Sequence, residues 1–196
     1  MLGNSRTVLD IGSGNGGLMS VVNFDHKYTV DGIEIFDPYI KLAKKTGVYR
    51  RIIRLDISKL NPENKSYDCV LCSQLIEHLD KNESLKLIDK MGKIARRLVV
   101  IGTPNGWIKQ EIWENNIHQK HKSGWSKDDL LKLNYRVSGT GLKCIYGDDG
   151  ILKSFPNLNL FFRNLLYLVS FFANPLIYWK PEYAAQLVAC KRVDSV

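Results

Sequence analysis

Cysteine is scarce in this chain, with four residues among 196. Cys69-x-x-Cys72 has the spacing of a redox or metal pair. It lies, however, in the apolar run Tyr67–Cys72, where positions three apart point to opposite faces of a strand. Core packing is the reading its context favours, and Cys144 and Cys190 also fall in strand-like runs. A disulfide framework is excluded, and a reducing cytoplasm is the simplest setting. The stretch Met1–Thr7 is polar and carries no secretory signal pattern. There is no internal repeat, no low-complexity linker and no aromatic–basic array of the kind that stacks nucleobases, so nucleic acid is a minor reading. Acidic residues are outnumbered, 20 against 28 lysines and arginines, and the formal net charge of +8 favours anionic partners. Much of that charge reads as solvated helix face: Lys86, Lys90 and Lys93 run opposite Leu87, Ile88, Met91 and Ile94, and Lys41, Lys44 and Lys45 look the same. With 44% hydrophobic residues, the composition fits one globular domain over 1–196.

What is present is an alternation of strands and helices. Strands are expected at Thr7–Ile11, Tyr28–Ile35, Arg51–Leu55, Tyr67–Cys72 and Leu98–Gly102, with helices near Gly16–Phe24, Pro38–Lys45 and Asn82–Ala95. Cys69-Val70-Leu71-Cys72 and Leu98-Val99-Val100-Ile101 are continuous apolar runs, as buried parallel strands require. The helix from Asn82 places Leu85, Ile88, Met91 and Ala95 on one stripe. Such βαβ alternation predicts a doubly wound parallel sheet. Beyond Gly102 a helix is expected from Ser126, with Asp129 completing a capping box, and two further strands at Tyr135–Tyr146 and Tyr183–Arg192.

The densest chemical signal is Val8-Leu9-Asp10-Ile11-Gly12-Ser13-Gly14-Asn15-Gly16-Gly17, a strand feeding a glycine-rich turn and a helix. Its glycines let the backbone approach a nucleotide closely. The spacing Gly12-x-Gly14-x-x-Gly17 also fits a dinucleotide fingerprint, so spacing alone does not choose the ligand. Asp10 does. A carboxylate two residues before the first glycine would repel a pyrophosphate but suits the ammonium group of S-adenosylmethionine. Glu34 ends the second strand, 20 residues after Gly14, where an acid can accept both ribose hydroxyls. Asp56 ends the third strand and can accept an adenine amine, with Ile57 as an apolar wall. Ser73 and Gln74 emerge after the fourth strand at the carboxyl edge of the sheet, where ligands bind in such folds. Asp37 before Pro38 reads as a helix cap, and Glu77-His78 as fixing a helix start.

In this order and spacing the motifs resemble the class I S-adenosylmethionine-dependent methyltransferases. The likeness is strongest to the broad small-molecule group (type 11/12-like) whose first strand ends in Asp-x-Gly-x-Gly. It covers Arg6 to Asn105 and, more loosely, extends to Arg192. The resemblance implies a Rossmann-like doubly wound α/β fold. Its seven-stranded, mostly parallel sheet would have the last strand antiparallel and helices on both faces. It implies S-adenosylmethionine as cofactor and methyl transfer to a small-molecule, lipid or glycan acceptor by direct displacement. Gly12, Ser13 and Gly14 would line the methionine and ribose portions, and Asp10 would hold the ammonium group directly or through water. Glu34 would take the ribose, Ile35 the adenine face and Asp56 the adenine amine, while Ser73 and Gln74 flank the sulfonium. Two alternatives stay open. One is an NAD-dependent oxidoreductase, against which Asp10 and Asp56 argue. The other is a non-catalytic methyltransferase-like subunit with an RNA or protein partner.

Members of the resembled family carry one or two helices before the first strand. Here Met1 precedes Thr7 by six residues, so either a truncated chain or an unusually open cofactor site is expected. The segment 106–127 falls where the family builds substrate pockets and holds Trp107, Trp113, His118, His121 and Trp125. His121 is the candidate general base. His-x-x-His is thin as a metal pair, and no metal is expected. The apolar insertion 155–179 lies between the last two strands. Of the 22 residues Leu158–Trp179, 16 are hydrophobic and Arg163 carries the only charge. Asn159, Arg163, Ser170 and Asn174 share one narrow stripe. Pro175 is expected to limit this helix to roughly 16 residues, about 24 Å, short of the ~30 Å needed to span a bilayer. A lid over the substrate, a membrane-facing element and a packing interface are the readings it leaves. Oligomeric state has no signature in the sequence.

Overall fold

The computed structural model describes residues 5–61, 65–110, 112 and 116–193. Trp113 of the substrate-side segment lies outside the described residues. Seven strands hydrogen-bond in the order β3-β2-β1-β4-β5-β7-β6. The chain divides into two compact units, Met1–Ile101 with Lys191–Val196, and Gly102–Cys190.

In the first unit, β1 (Thr7–Ile11), β2 (Thr29–Glu34), β3 (Arg51–Arg54) and β4 (Tyr67–Ser73) pair in parallel. β5 (Ala95–Pro104) begins there. Val8, Ile11, Val30, Cys69, Val70 and Cys72 are fully buried, so the continuous apolar runs are the core of the sheet. Both cysteines of β4 are buried in that core and form no disulfide. Connecting helices are α1 (Gly17–Val22), α2 (Asp37–Lys45) and α3 (Lys81–Ile94).

Three local expectations change. The N-cap of α2 is Phe36, which caps with no side chain; Asp37 and Pro38 occupy the first turn, and Asp37 pairs with Arg54 at 3.1 Å. Glu77 and His78 lie buried in a 3-10 turn, and α3 instead starts from Asp80, whose capping box with Glu83 satisfies the first amides. The buried stripe of α3 is Ser84, Leu87, Ile88, Met91 and Ile94. Leu85, about 100° round from Ser84, is exposed.

One ion cluster ties the amino ends of the strands. Asp31, with no exposed side-chain surface, accepts two bonds from Arg50 at 2.8 and 2.6 Å, one from Arg51 at 2.9 Å and one from the Tyr67 hydroxyl at 2.6 Å. Burial pushes the Asp31 carboxyl up, but these donors outweigh it and hold the pKa below the ordinary value. Asp68 accepts the Arg6 and Thr7 amides at 2.8 and 3.1 Å and pairs with Arg96 at 3.0 Å. Burial again acts upward, and these bonds bring its pKa to about 2.

The second unit contains α4 (Lys127–Lys132), β6 (Arg136–Leu142), α5 (Lys143–Tyr146), α6 (Ile151–Ser154), α7 (Leu160–Trp179) and most of β7 (Ala184–Arg192). β6 and β7 run antiparallel. Trp125, Leu130, Ile145 and Leu187 are fully buried. Ser126 and Asp129 form the expected capping box. The strand expected to reach Tyr146 ends at Leu142, because Gly141 turns left-handed (φ 68°) and the chain winds into α5. Cys144 is therefore on an exposed helical turn.

The proline expectation also fails. α7 continues through Pro175 for 20 residues, about 30 Å at 1.5 Å per residue.

The Asp31 cluster generates a direct test. Asp31→Asn removes the charge that two guanidiniums share, and should lower the thermal midpoint by about 5 °C. A calorimetric shift below about 1 °C would show that the cluster contributes nothing net.

Candidate active site

The carboxyl ends of β1, β2, β3 and β4 align, because Ile11 sits opposite both Ile33 and Cys72 while Glu34 sits opposite Arg54. Gly12, Ile35, Leu55 and Gln74 are thus the first residues past one edge of the first unit. This brings together Asp10, the glycine turn, Glu34, Ile35, Asp56, Ile57, Ser73 and Gln74, as expected from the sequence.

The turn is built on left-handed backbone. Gly12 has φ 73° and Gly14 φ 54°. A Cβ on Gly12 would come within 2.9 Å of the Leu75 side chain, whereas one on Gly14 would meet nothing within 4 Å. The backbone is therefore packed on one side of the turn and open on the other. The Gly12 and Ser13 amides both donate to the Ile33 carbonyl, at 2.8 and 3.0 Å.

Glu34 locks this turn to the end of β2. Its Oε2 accepts the Gly14 amide at 2.9 Å, and its Oε1 accepts the Ile35 and Phe36 amides at 2.8 and 2.9 Å. A carboxylate offers about four acceptor directions. Three backbone bonds consume three of them, and Oε2 retains capacity for a hydroxyl.

Beneath the turn lies a residue that sequence reasoning missed. The Tyr49 hydroxyl donates to Asp10 Oδ2 at 2.7 Å. Its ring fills the space beside Gly32, where a Cβ would stand 3.1 Å from the ring and 3.2 Å from the Ser13 hydroxyl. A glycine in the middle of a strand marks such a close approach, so Gly32 was the available signal. Asp10 is 3% exposed. Burial raises its pKa to about 6, the Tyr49 bond pulls it down, and the neighbouring Glu34 charge pushes it up. Burial and the Asp10 charge together drive the Tyr49 phenol well above its usual range.

Asp56 caps a 3-10 turn by accepting the Ser58 amide at 2.9 Å, so one of its oxygens is partly committed to the backbone. Ile57 and Ser73 are half-buried. Gln74 is exposed and left-handed at φ 55°. Such a conformation costs about 1 kcal/mol or more in a side-chain-bearing residue, and is characteristic of ligand sites.

His121 belongs to the second unit. It is buried, at 6% exposure. Its Nδ1 lies 2.7 Å from the Ile108 carbonyl, which fixes the tautomer with the proton on Nδ1. Burial lowers its pKa, against the opposing effect of that carbonyl, so the ring is neutral near pH 7. His118 is exposed. The same segment is ordered by Gly106 donating to the Trp125 carbonyl at 2.7 Å and by Asn116 accepting the His118 amide at 3.0 Å.

Residues 8–97 match the family model of a methyltransferase domain. The match spans just under half of the chain and is consistent with a class I S-adenosylmethionine-dependent methyltransferase. The match supports an enzyme that uses S-adenosylmethionine as cofactor. No curated protein matches the chain. Among solved structures, a SAM-dependent methyltransferase from Archaeoglobus fulgidus superposes with a TM-score of 0.59 at 18% identity, covering 96% of this chain and 86% of that one. A protein from Galdieria sulphuraria, named as a sarcosine dimethylglycine methyltransferase, gives 0.60 at 13% identity, with coverage of 98% and 79%. The N-terminal domain of EvdMO1 with S-adenosylhomocysteine bound gives 0.51 at 13%, covering 66% of this chain and 63% of that one. At these identities the likeness is one of fold. The sheet order separates the methyltransferase from the dinucleotide alternative. Antiparallel β7 is inserted between β5 and β6, whereas the dinucleotide fold orders its strands 3-2-1-4-5-6.

The Asp10–Tyr49 bond predicts a pH dependence. A carboxyl raised from 3.8 to about 6 on folding contributes stability below about pH 4, and that contribution is lost as pH rises through 6. The difference in thermal midpoint between the native chain and Asp10→Asn should follow this curve between pH 4 and 8. In Tyr49→Phe the Asp10 midpoint should move to higher pH; an unmoved midpoint would remove Tyr49 from the site.

Proposed function

We propose that the chain transfers the methyl group of S-adenosylmethionine to a small-molecule, lipid or glycan acceptor by direct displacement. The observation that carries this reading is Glu34, clamped by the Gly14, Ile35 and Phe36 amides at the open side of the glycine turn. The residues present fit the cofactor. Glu34 Oε2 has acceptor capacity for a ribose hydroxyl, and Gly14 leaves open space beside it. Asp10, mostly ionised at pH 7 with a pKa of about 6, supplies negative potential for the ammonium group. Its burial favours action through water or through space over direct contact. Ile35 and Ile57 offer apolar surface for the adenine, Asp56 an acceptor for its amine, and Ser73 and Gln74 polar groups beside the sulfonium. When bound, S-adenosylmethionine supplies a methyl carbon activated by positive sulfur, which leaves as a neutral thioether.

The work left to the protein is positioning, since holding reactants in line removes much of the barrier in a displacement. An acceptor hydroxyl or amine must also lose a proton as its new bond to carbon forms. We assign that task to His121, the buried imidazole that the sequence offers as general base.

Isothermal titration with S-adenosylhomocysteine should show saturable binding near the micromolar range, abolished in Glu34→Ala and in Asp10→Ala. Absence of binding by the intact chain would sink the reading. Labelled methyl transfer should then be followed into a panel of small-molecule, lipid and glycan acceptors. For the acceptor that takes label, His121→Asn should lower kcat about a hundredfold, with S-adenosylhomocysteine affinity unchanged. An unchanged kcat would leave positioning as the whole mechanism.

A further inference from the structure

The polarity of α7 is inverted. At 100° per residue, Asn159, Arg163, Ser170, Asn174 and Ile177 fall within roughly 60° of arc. That stripe is the face turned toward its own unit. Ser170, 2% exposed, accepts the Leu142 amide at 3.2 Å, and Asn174 accepts the Gly141 amide at 2.9 Å, both from β6. The remainder of the helix points outward and, apart from exposed Asn164, is apolar. Leu160, Phe161, Phe162, Leu165, Leu168, Phe171, Phe172, Leu176 and Trp179 are between 46% and 74% exposed. From Tyr167 round to Phe162 this surface spans roughly 220° of arc. Of the helices in the described residues, it is the one long and apolar enough to cross a membrane, and it is mostly unburied.

We infer that α7 docks on the surface of an anionic lipid bilayer, lying in the plane of the interface with its apolar arc in the acyl boundary. Three observations choose this occupant. The first is angular: a second copy packed helix against helix would cover one stripe and leave the flanks bare, whereas a fluid apolar medium wets the whole arc. The second is charge. Residues 151–180 contain no acid and place Lys180 at the end of the arc, in a chain of net charge +8, which is complementary to anionic headgroups. The third is the aromatic end, where Tyr178, Trp179 and Tyr183 are 49%, 72% and 59% exposed, as suits a headgroup region. A spanning pose is excluded while α7 stays on β6, because the Ser170 and Asn174 bonds hold its middle beside a strand whose polar backbone hydrocarbon would not solvate.

The inference stands apart from methyl transfer, and its test needs no acceptor. Flotation with vesicles of phosphatidylcholine containing 30% phosphatidylserine should carry the full-length chain at least tenfold more than phosphatidylcholine alone. Phe172→Glu/Trp179→Glu places two charges at the centre of the arc, on side chains 74% and 72% exposed. It should abolish flotation while leaving the thermal midpoint and S-adenosylhomocysteine binding unchanged. Equal flotation of this variant would overturn the proposal, as would a native chain that stays with the buffer. Dimers that dissociate in the variant without any vesicle binding would give the face to a second copy instead. Retention on vesicles through an alkaline carbonate wash would replace in-plane docking with a spanning helix.

Discussion

One carboxylate holds the cofactor edge together. Glu34 binds three backbone amides from two segments, so the glycine turn after β1 and the exit of β2 cannot move independently. Charge-assisted bonds of this kind are roughly twice as strong as neutral ones. They also convert a flexible run of glycines into a defined concave surface. Because the strands are parallel and in register, everything else at the edge inherits its position from that anchor: Asp56 from β3, Ser73 and Gln74 from β4.

The anchor has an electrostatic cost that the fold meets locally. Asp10 lies close enough for the Glu34 charge to raise its pKa, and burial raises it further. Tyr49 offsets part of this with its hydroxyl bond, and Gly32 leaves room for the ring that delivers it. The outcome is a compact negative site in a basic chain. A cationic ligand relieves the repulsion between the two acids, whereas a pyrophosphate would add to it. Selectivity between these ligand classes thus follows from charge rather than from glycine spacing.

The first unit was largely legible because its physics is repetitive. Buried parallel strands must be continuous apolar runs, and β1 and β4 match their expected spans within a residue. The placement of Glu34, Asp56 and Gln74 at the sheet edge was legible because each strand's carboxyl end is marked by a polar residue following an apolar run. Tyr49 was hidden because it lies in a connection, 39 residues from its partner, where no periodicity applies. The second unit was read less well. Gly141 ends β6 early through its backbone conformation, which hydrophobic pattern does not encode. Pro175 lacks the amide that would bond the Phe171 carbonyl, a defect that normally stops a helix. Here Ser170 and Asn174, both in the turn that leads into Pro175, fasten the helix to β6, and tertiary contact overrides the local rule.

That fastening has a second effect on β6. The strand ends the sheet order, so among the described residues one of its sides has no neighbouring strand. Such an edge is a template for pairing with another chain. The Asn174 and Ser170 side chains occupy the Gly141 and Leu142 amides at the end of this strand, and α7 packs along it. Trimming α7 to rid the protein of its greasy surface would therefore uncover a sticky ribbon in its place. The shortened protein would exchange a liking for lipid for a tendency to form β-aggregates.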